Sequence, residues 1–331
     1  MKISGRQIKL VHLGLLVSVV FNVILIAISV RSILMANTSD GADNRFLYPY
    51  LASRIFAESP NDVFVSFLPL RLEVRKYIEQ NGKDTIGFYF EYLPSGSSIG
   101  VNEKLELPLA SLFKIPVVIG VYQLVERGRL GFDTILTVDQ EHINKTFGTL
   151  WQKGAGTKLS VREAIDLALI ESDNTAFQLL YSLLPEEERV DLFEDLDILV
   201  QKTAEDYVYT IGTSKSYSSI LRALYLSTFL SKEHSNEILE TLTRTEFSDK
   251  LPAGVAPGVK TAHKIGVYQR VDTGGFVWSD CGVVYVPKRS YILCIMVQGS
   301  EEEARKHIAF LSKMVFDYAS QVNARPAESG F

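Results

Sequence analysis

Residues Ile115 to Val125 form an apolar run that reads as a helix buried on all sides, and Leu109-Ala110-Ser111-Leu112-Phe113-Lys114 leads into it. A chain with this stretch must bury the helix with two polar groups at its entrance. Ser111 and Lys114 are three residues apart, which on a helix puts both side chains on one face and within reach of each other. A serine hydroxyl is a poor nucleophile until a neighbouring base takes its proton. A lysine in apolar surroundings can shed its charge and act as that base. Taken alone, Ser-x-x-Lys arises often by chance, and an N-cap followed by a surface lysine explains it more simply. Two stretches further along change the balance.

The rest of the composition excludes several function classes. A net charge of −5 gives no electrostatic reason to expect nucleic-acid binding. Two cysteines are too few for a disulfide framework, and with five histidines they offer no grouping at metal-ligand spacing. No metal or other cofactor is therefore expected.

The N-terminus reads as a membrane anchor. Residues 1–9 carry Lys2, Arg6 and Lys9 and no acid, and Leu10 to Val30 carries no charge at all before Arg31. An uncharged run of ~20 apolar residues can cross a bilayer as a helix, whereas a cleavable signal has a core of ~7–15 residues and a small-x-small site. Ile33-Leu34-Met35-Ala36 is a poor site. The expected layout is a cytoplasmic residue 1–9 segment, a transmembrane signal anchor at 10–30, a spacer at 31–61, a folded body at 62–322 and a tail at 323–331. Lys and Arg counts do not settle orientation, since Arg31, Arg45 and Arg54 follow the helix. The short, basic, acid-free end favours a cytoplasmic N-terminus with the body on the extracytoplasmic side.

The body has a regular order. Leu68 to Ile78 is apolar at helical spacing and is closed by Asn81-Gly82. Ile86 to Leu93 and Ser98 to Val101 are strands joined by Pro94-Ser95-Gly96. The Ser111 helix ends near Gly128, and Leu130 to Ser160 is loop-rich. Helices are expected over Val161 to Leu169, Thr175 to Leu184, 186–200, Ser214 to Leu230 and Ser235 to Thr243. Strands then follow at Ala262 to Val267, Gly274 to Val286 and Tyr291 to Gln298, with a last helix from Glu301 to Val322. Helix, two strands, a mostly helical middle, three strands and a helix make an α+β protein with an antiparallel sheet.

Ser172-Asp173-Asn174 taken alone is a helix-helix turn, and Lys264-Ile265-Gly266 taken alone is an exposed edge strand. Together with Ser111-x-x-Lys114, in this order, they resemble the Ser-x-x-Lys, Ser-Asp-Asn, Lys-Thr-Gly set of class A β-lactamases and penicillin-binding proteins. The resemblance covers about residues 62 to 320. It implies a five-stranded antiparallel sheet flanked by helices plus a mostly helical subdomain. It also implies a serine hydrolase that forms an acyl-enzyme with a β-lactam or a cell-wall peptide. By position, Ser111 is the nucleophile, Lys114 accepts its proton, and Ser172 passes a proton to the leaving nitrogen. Asn174 holds the substrate's side-chain amide, Lys264 attracts its carboxylate, and Gly266 lets it approach the strand. The backbone N–H groups of Ser111 and Val267 form the oxyanion hole.

Two departures from the pattern matter. Ile265 replaces a hydroxyl residue, which removes one donor to the substrate carboxylate. The Glu-x-x-Leu-Asn stretch that positions the hydrolytic water in class A enzymes has no counterpart in Gln201 to Ser216, where Glu205 is the one glutamate. Glu205 reads as a solvated loop carboxylate, and deacylation is expected to be slow. Asp280 fits a cleft position or a strand edge equally, and His263 fits packing better than catalysis. Cys281 and Cys294 fall on neighbouring strands, with two buried free thiols expected because the register is uncertain by a residue. The rival readings are a D-alanyl-D-alanine peptidase or transpeptidase, and an acylated receptor or non-catalytic binding domain.

Overall fold

The computed structural model describes Tyr50 and residues 67–202, 208–270 and 274–321. The expected segments 1–9, 10–30, 31–61 and 323–331 and Glu205 lie outside the described residues, apart from Tyr50. Among the described residues, no helix is long and apolar enough to cross a membrane.

Leu70, Val74 and Ile78 repeat every four residues and are the buried stripe of α1 (Leu68–Asn81). Strands β1 (Ile86–Tyr92) and β2 (Ser97–Val101) form a hairpin, and β1 is buried at every position. After the short β3 (Leu107–Pro108) comes a 3-10 turn, Ala110–Phe113, and then α2 (Lys114–Glu126). The loop-rich stretch beyond it holds the paired strands β4 (Ile135–Thr137) and β5 (Lys158–Ser160). Helix α3 (Val161–Ile170) starts at a capping box in which Ser160 and Glu163 satisfy each other's backbone N–H groups. Helices α4 (Asn174–Ser182) and α5 (Glu186–Asp195) follow.

The helix expected over 186–200 stops early. Asp197, with φ 55°, turns the chain, and Leu199–Lys202 (β6) pairs with Val208–Gly212 (β7), where cross-strand bonding overrides helical propensity. Helix α6 (Ser214–Tyr225) likewise ends before Leu230, next to Ser227 at φ 54°. Helix α7 (Lys232–Leu242) leads to β8 (Thr261–Gln269), β9 (Phe276–Val284), β10 (Tyr291–Gln298) and α8 (Glu301–Gln321).

Five antiparallel strands in the order β2-β1-β10-β9-β8 make the main sheet, and β8 is an edge. One face carries Phe88, Phe90, Leu293 and Ile295 against α1 and α8. Helix α6 covers the other face: its Arg222 pairs at 2.9 Å with Glu91, which alternates along β1 with the core residues Phe90 and Tyr92.

Register places Lys264, Cys281, Cys294 and Tyr89 side by side across β8, β9, β10 and β1. Cys281 and Cys294 are joined, Sγ to Sγ at 2.05 Å. This corrects the expectation of two free thiols, because the hairpin sets the two residues directly opposite each other. In the chain-entropy account, a bridge closing a loop of about 15 residues contributes ~3 kcal/mol. Their sequence separation is 13. Replacing both cysteines by alanine is therefore expected to lower the unfolding free energy by ~2–4 kcal/mol in denaturant titration; an unchanged midpoint would show that the bridge contributes nothing.

Candidate active site

Ser111 sits in the 3-10 turn just ahead of α2, and Lys114 is the first residue of the helix. Three contacts hold the turn. Leu109 N donates to Thr210 O on β7 at 2.9 Å, and the buried Tyr217 hydroxyl of α6 donates to Leu112 O at 2.9 Å. On the third side the turn meets β8 at Gly266, where an added Cβ would lie 2.8 Å from Leu109 O and 3.2 Å from Leu112 Cγ. At Gly266, then, the turn carrying Ser111 fills the space that a side chain would need. Ala110 holds φ 48°, so strain sits one residue before the hydroxyl.

The Ser172-Asp173-Asn174 corner is fixed by its middle residue. Asp173 is fully buried and N-caps α4 by accepting from Ala176 N at 2.9 Å. It also accepts from Thr149 N at 2.6 Å and Leu150 N at 2.8 Å. Gly148 makes this possible: it has φ 87°, and an added Cβ would fall 2.2 Å from Asp173 Oδ2. The anchored corner holds Ser172 at φ 58°, in the left-handed region that a serine rarely adopts.

Two of the expected groups, the amines of Lys114 and Lys264, converge on the Ser172 hydroxyl, and Asn174 joins them through Lys114. Lys114 Nζ lies 3.0 Å from Ser172 Oγ and 2.7 Å from Asn174 Oδ1, and it also donates to Ser172 O. Lys264 Nζ reaches the same hydroxyl from β8 at 2.7 Å. Asn174 Nδ2 donates to Thr146 Oγ1 at 2.6 Å. Both lysines are buried, at 2% and 0% exposure. Burial, then the neighbouring Lys264 charge, holds the Lys114 amine well below the usual ammonium range, with Asp173 opposing. Burial lowers Lys264 to about 7, against the opposing charge of Asp280.

A neutral amine has two N–H groups and one lone pair. The two N–H groups of Lys114 match Ser172 O and Asn174 Oδ1, which leaves its lone pair for a hydroxyl. Among the described residues, Ser111 Oγ has no hydrogen-bond partner, so at rest the amine is engaged with the corner. Val267 is half-buried on the edge strand next to Gly266. Asp280 is fully buried and faces away from the cleft.

The motif reading missed the aromatic rim. Phe147 and Phe247 approach with ring centroids 5.9 Å apart, and Lys264 Nζ lies 5.8 Å from the Phe247 centroid. It also missed Thr146, Tyr217 and the anchoring role of Asp173. Gly148, inside the loop-rich stretch from Leu130 to Ser160, is the visible trace of that anchor.

Residues 69–319 match the model of the β-lactamase enzyme family. The chain belongs to that family. A β-lactamase of Phocaeicola vulgatus is 22% identical over 254 residues, 69% of this chain and 78% of that protein. β-Lactamase VEB-1 of Pseudomonas aeruginosa is 22% identical over 241 residues, 67% of this chain and 81% of its own. Among solved structures, TLA-3 extended-spectrum β-lactamase superposes with a TM-score of 0.69 at 22% identity, covering 77% of this chain and 100% of that one. PBP-A gives 0.68 at 22% identity, over 77% and 98%. The expected serine hydrolase of β-lactamase type and its α+β fold both stand.

Gly148→Ala forces both a left-handed alanine and a clash with a buried carboxylate, and is expected to cost ~2–4 kcal/mol. Denaturant unfolding measures this, and a loss below ~1 kcal/mol would mean that the Asp173 anchor yields without cost.

Proposed function

We propose that this chain is a membrane-anchored, exported serine acyl-enzyme former that reacts with β-lactams or related amides and releases the acyl group slowly. The observation that carries the reading is the pair of buried amines on the Ser172 hydroxyl, one of them, three residues after Ser111, held well below the usual ammonium range.

In the proposed reaction, Lys114 Nζ takes the Ser111 proton while Oγ bonds to the amide carbon. The developing oxyanion accepts from the N–H groups of Ser111 and Val267. As the carbon–nitrogen bond breaks, the Ser172 hydroxyl gives its proton to the leaving nitrogen and is refilled from the Lys114 ammonium. Lys264 in its charged form attracts the substrate carboxylate, and Asn174 holds the side-chain amide. Preorganised donors of this kind typically contribute ~10²–10³ each in rate.

Slow release is supported by what occupies the place of the Glu-x-x-Leu-Asn stretch, a hairpin of β6 and β7. The buried carboxylates nearby, Asp173 and Asp280, each already accept backbone N–H groups. A disulfide is at home in an oxidising compartment, which supports export of the body. A second reading, a D-alanyl-D-alanine peptidase or transpeptidase acting on cell-wall peptides, is favoured by one neighbour. A PBP-A variant solved as an acyl-enzyme complex with penicillin G superposes with a TM-score of 0.67 at 24% identity.

Intact-mass spectrometry with penicillin G tests the proposal. The expected result is a single adduct of the penicillin mass that persists for minutes and is absent in Ser111→Ala. Rapid turnover with no adduct would refute slow release, and no reaction at all would refute the acylation reading.

A further inference from the structure

Helix α4 starts at the Ser172-Asp173-Asn174 corner and leads away from it. Thr175, Ala176, Leu179 and Leu180 are its buried side. Asn174, Phe177, Gln178 and Tyr181 are half-buried and, at spacings of three and four, make one stripe along the other side. The stripe is fixed to the catalytic turn. Phe113, between Ser111 and Lys114 in the chain, packs against both of its rings, 6.1 Å from Phe177 and 6.3 Å from Tyr181. Lys114 Nζ lies 5.8 Å from the Phe177 centroid, and the Phe177 and Tyr181 rings are 5.8 Å apart.

Two polar groups on this stripe lack the partners they can take. The Gln178 carboxamide makes no hydrogen bond among the described residues. At the far end, the half-buried Arg189 of α5 lays its guanidinium 4.5 Å from the Tyr181 centroid, with no carboxylate in ion-pairing reach among the described residues. The acid beside it in the chain, Glu188, is taken by Arg127 and Arg129. A guanidinium stacked by its face keeps its N–H edge free, and that edge is the fork a carboxylate fits. Length sets the class of ligand. Asn174 to Tyr181 is seven residues of helix, a rise of about 10 Å. An extended peptide covers that distance with about three residues, at ~3.3–3.6 Å each.

We infer that this stripe is an acyl-side subsite for an extended peptide, with Gln178 on the peptide backbone and Arg189 on a carboxylate about three residues before the reacting unit. It rests on the acylation reading above and names a substrate class for it, peptide acyl donors with an acidic residue at that distance. Phe177 and Tyr181 supply the apolar floor between the two polar ends, and Asn174 joins the floor to the catalytic corner.

Two penicillins test it, made by acylating 6-aminopenicillanic acid with acetyl-Glu-Ala-Ala or acetyl-Gln-Ala-Ala, so that they differ in one charge. Acylation of the full chain by each is followed by intact mass. The wild type is expected to take the Glu probe about fivefold faster, the upper range for a partly exposed ion pair. Arg189→Gln is expected to bring the ratio to about one, Arg189→Lys to keep part of it, and Arg189→Glu to favour the Gln probe. Each variant is read as a ratio of two probes on one protein, so a general loss of stability does not move the result. Equal rates in the wild type, or a Glu preference that survives Arg189→Gln, overturn the proposal. If neither probe nor penicillin G forms an adduct, the acylation reading fails. Anisotropy of fluorescein-labelled Glu-Ala-Ala and Gln-Ala-Ala amides then decides the subsite: a Glu preference lost in Arg189→Gln supports it, and equal binding overturns it.

Discussion

Two lysine amines share one serine hydroxyl in a buried corner, and most of this structure serves that arrangement. Their nitrogens lie within about 6 Å of each other, a range in which like charges depress one another's protonation. Burial adds to the effect, since neither side chain has water to stabilise an ammonium. The two sites differ in their surroundings, and this separates their roles. Lys114 has another lysine as neighbour, which adds to burial in holding its amine well below the usual ammonium range. Lys264 has Asp280 behind it and retains its charge up to about neutral pH. Environment alone thus distinguishes two chemically identical side chains.

The scaffold meets the cost of this corner through rigid backbone. Asp173 accepts three backbone N–H groups and so joins the 148–150 loop to the start of α4. Gly148 and Gly266 are the two points where backbones come too close for a side chain. The left-handed Ala110 and Ser172 are the strained residues that these contacts hold in place, one on each wall of the site. The sheet behind is locked by the Cys281–Cys294 bridge in the same row as Lys264. The bridge ties β9 to β10, and β8 with Lys264 pairs along β9 beside it.

Much of this was legible from residue order. The Ser-x-x-Lys, Ser-Asp-Asn and Lys-x-Gly stretches found their place because their spacing is local and their chemistry is distinctive. The anchoring work of Asp173 was hidden, since a buried carboxylate N-cap and a solvated turn residue look alike until the partner loop is folded against it. The β6–β7 hairpin was read partly as helix because Leu199 and Val200 follow an acidic helical run, and only pairing with Val208–Gly212 decides their state. The cysteine pair turned on a one-residue register that periodicity cannot resolve. Asp280 and His263 lie 17 residues apart in sequence and meet only across the strand pair.

The central claim is that a neutral Lys114 takes the proton from Ser111. The acylation rate of Lys114→Met with penicillin G, compared with the wild type by intact-mass time course, tests it most directly. The account predicts a fall of ~10²–10⁴, the usual contribution of a positioned general base, with the fold retained. A rate within tenfold of the wild type would contradict it and place the base elsewhere.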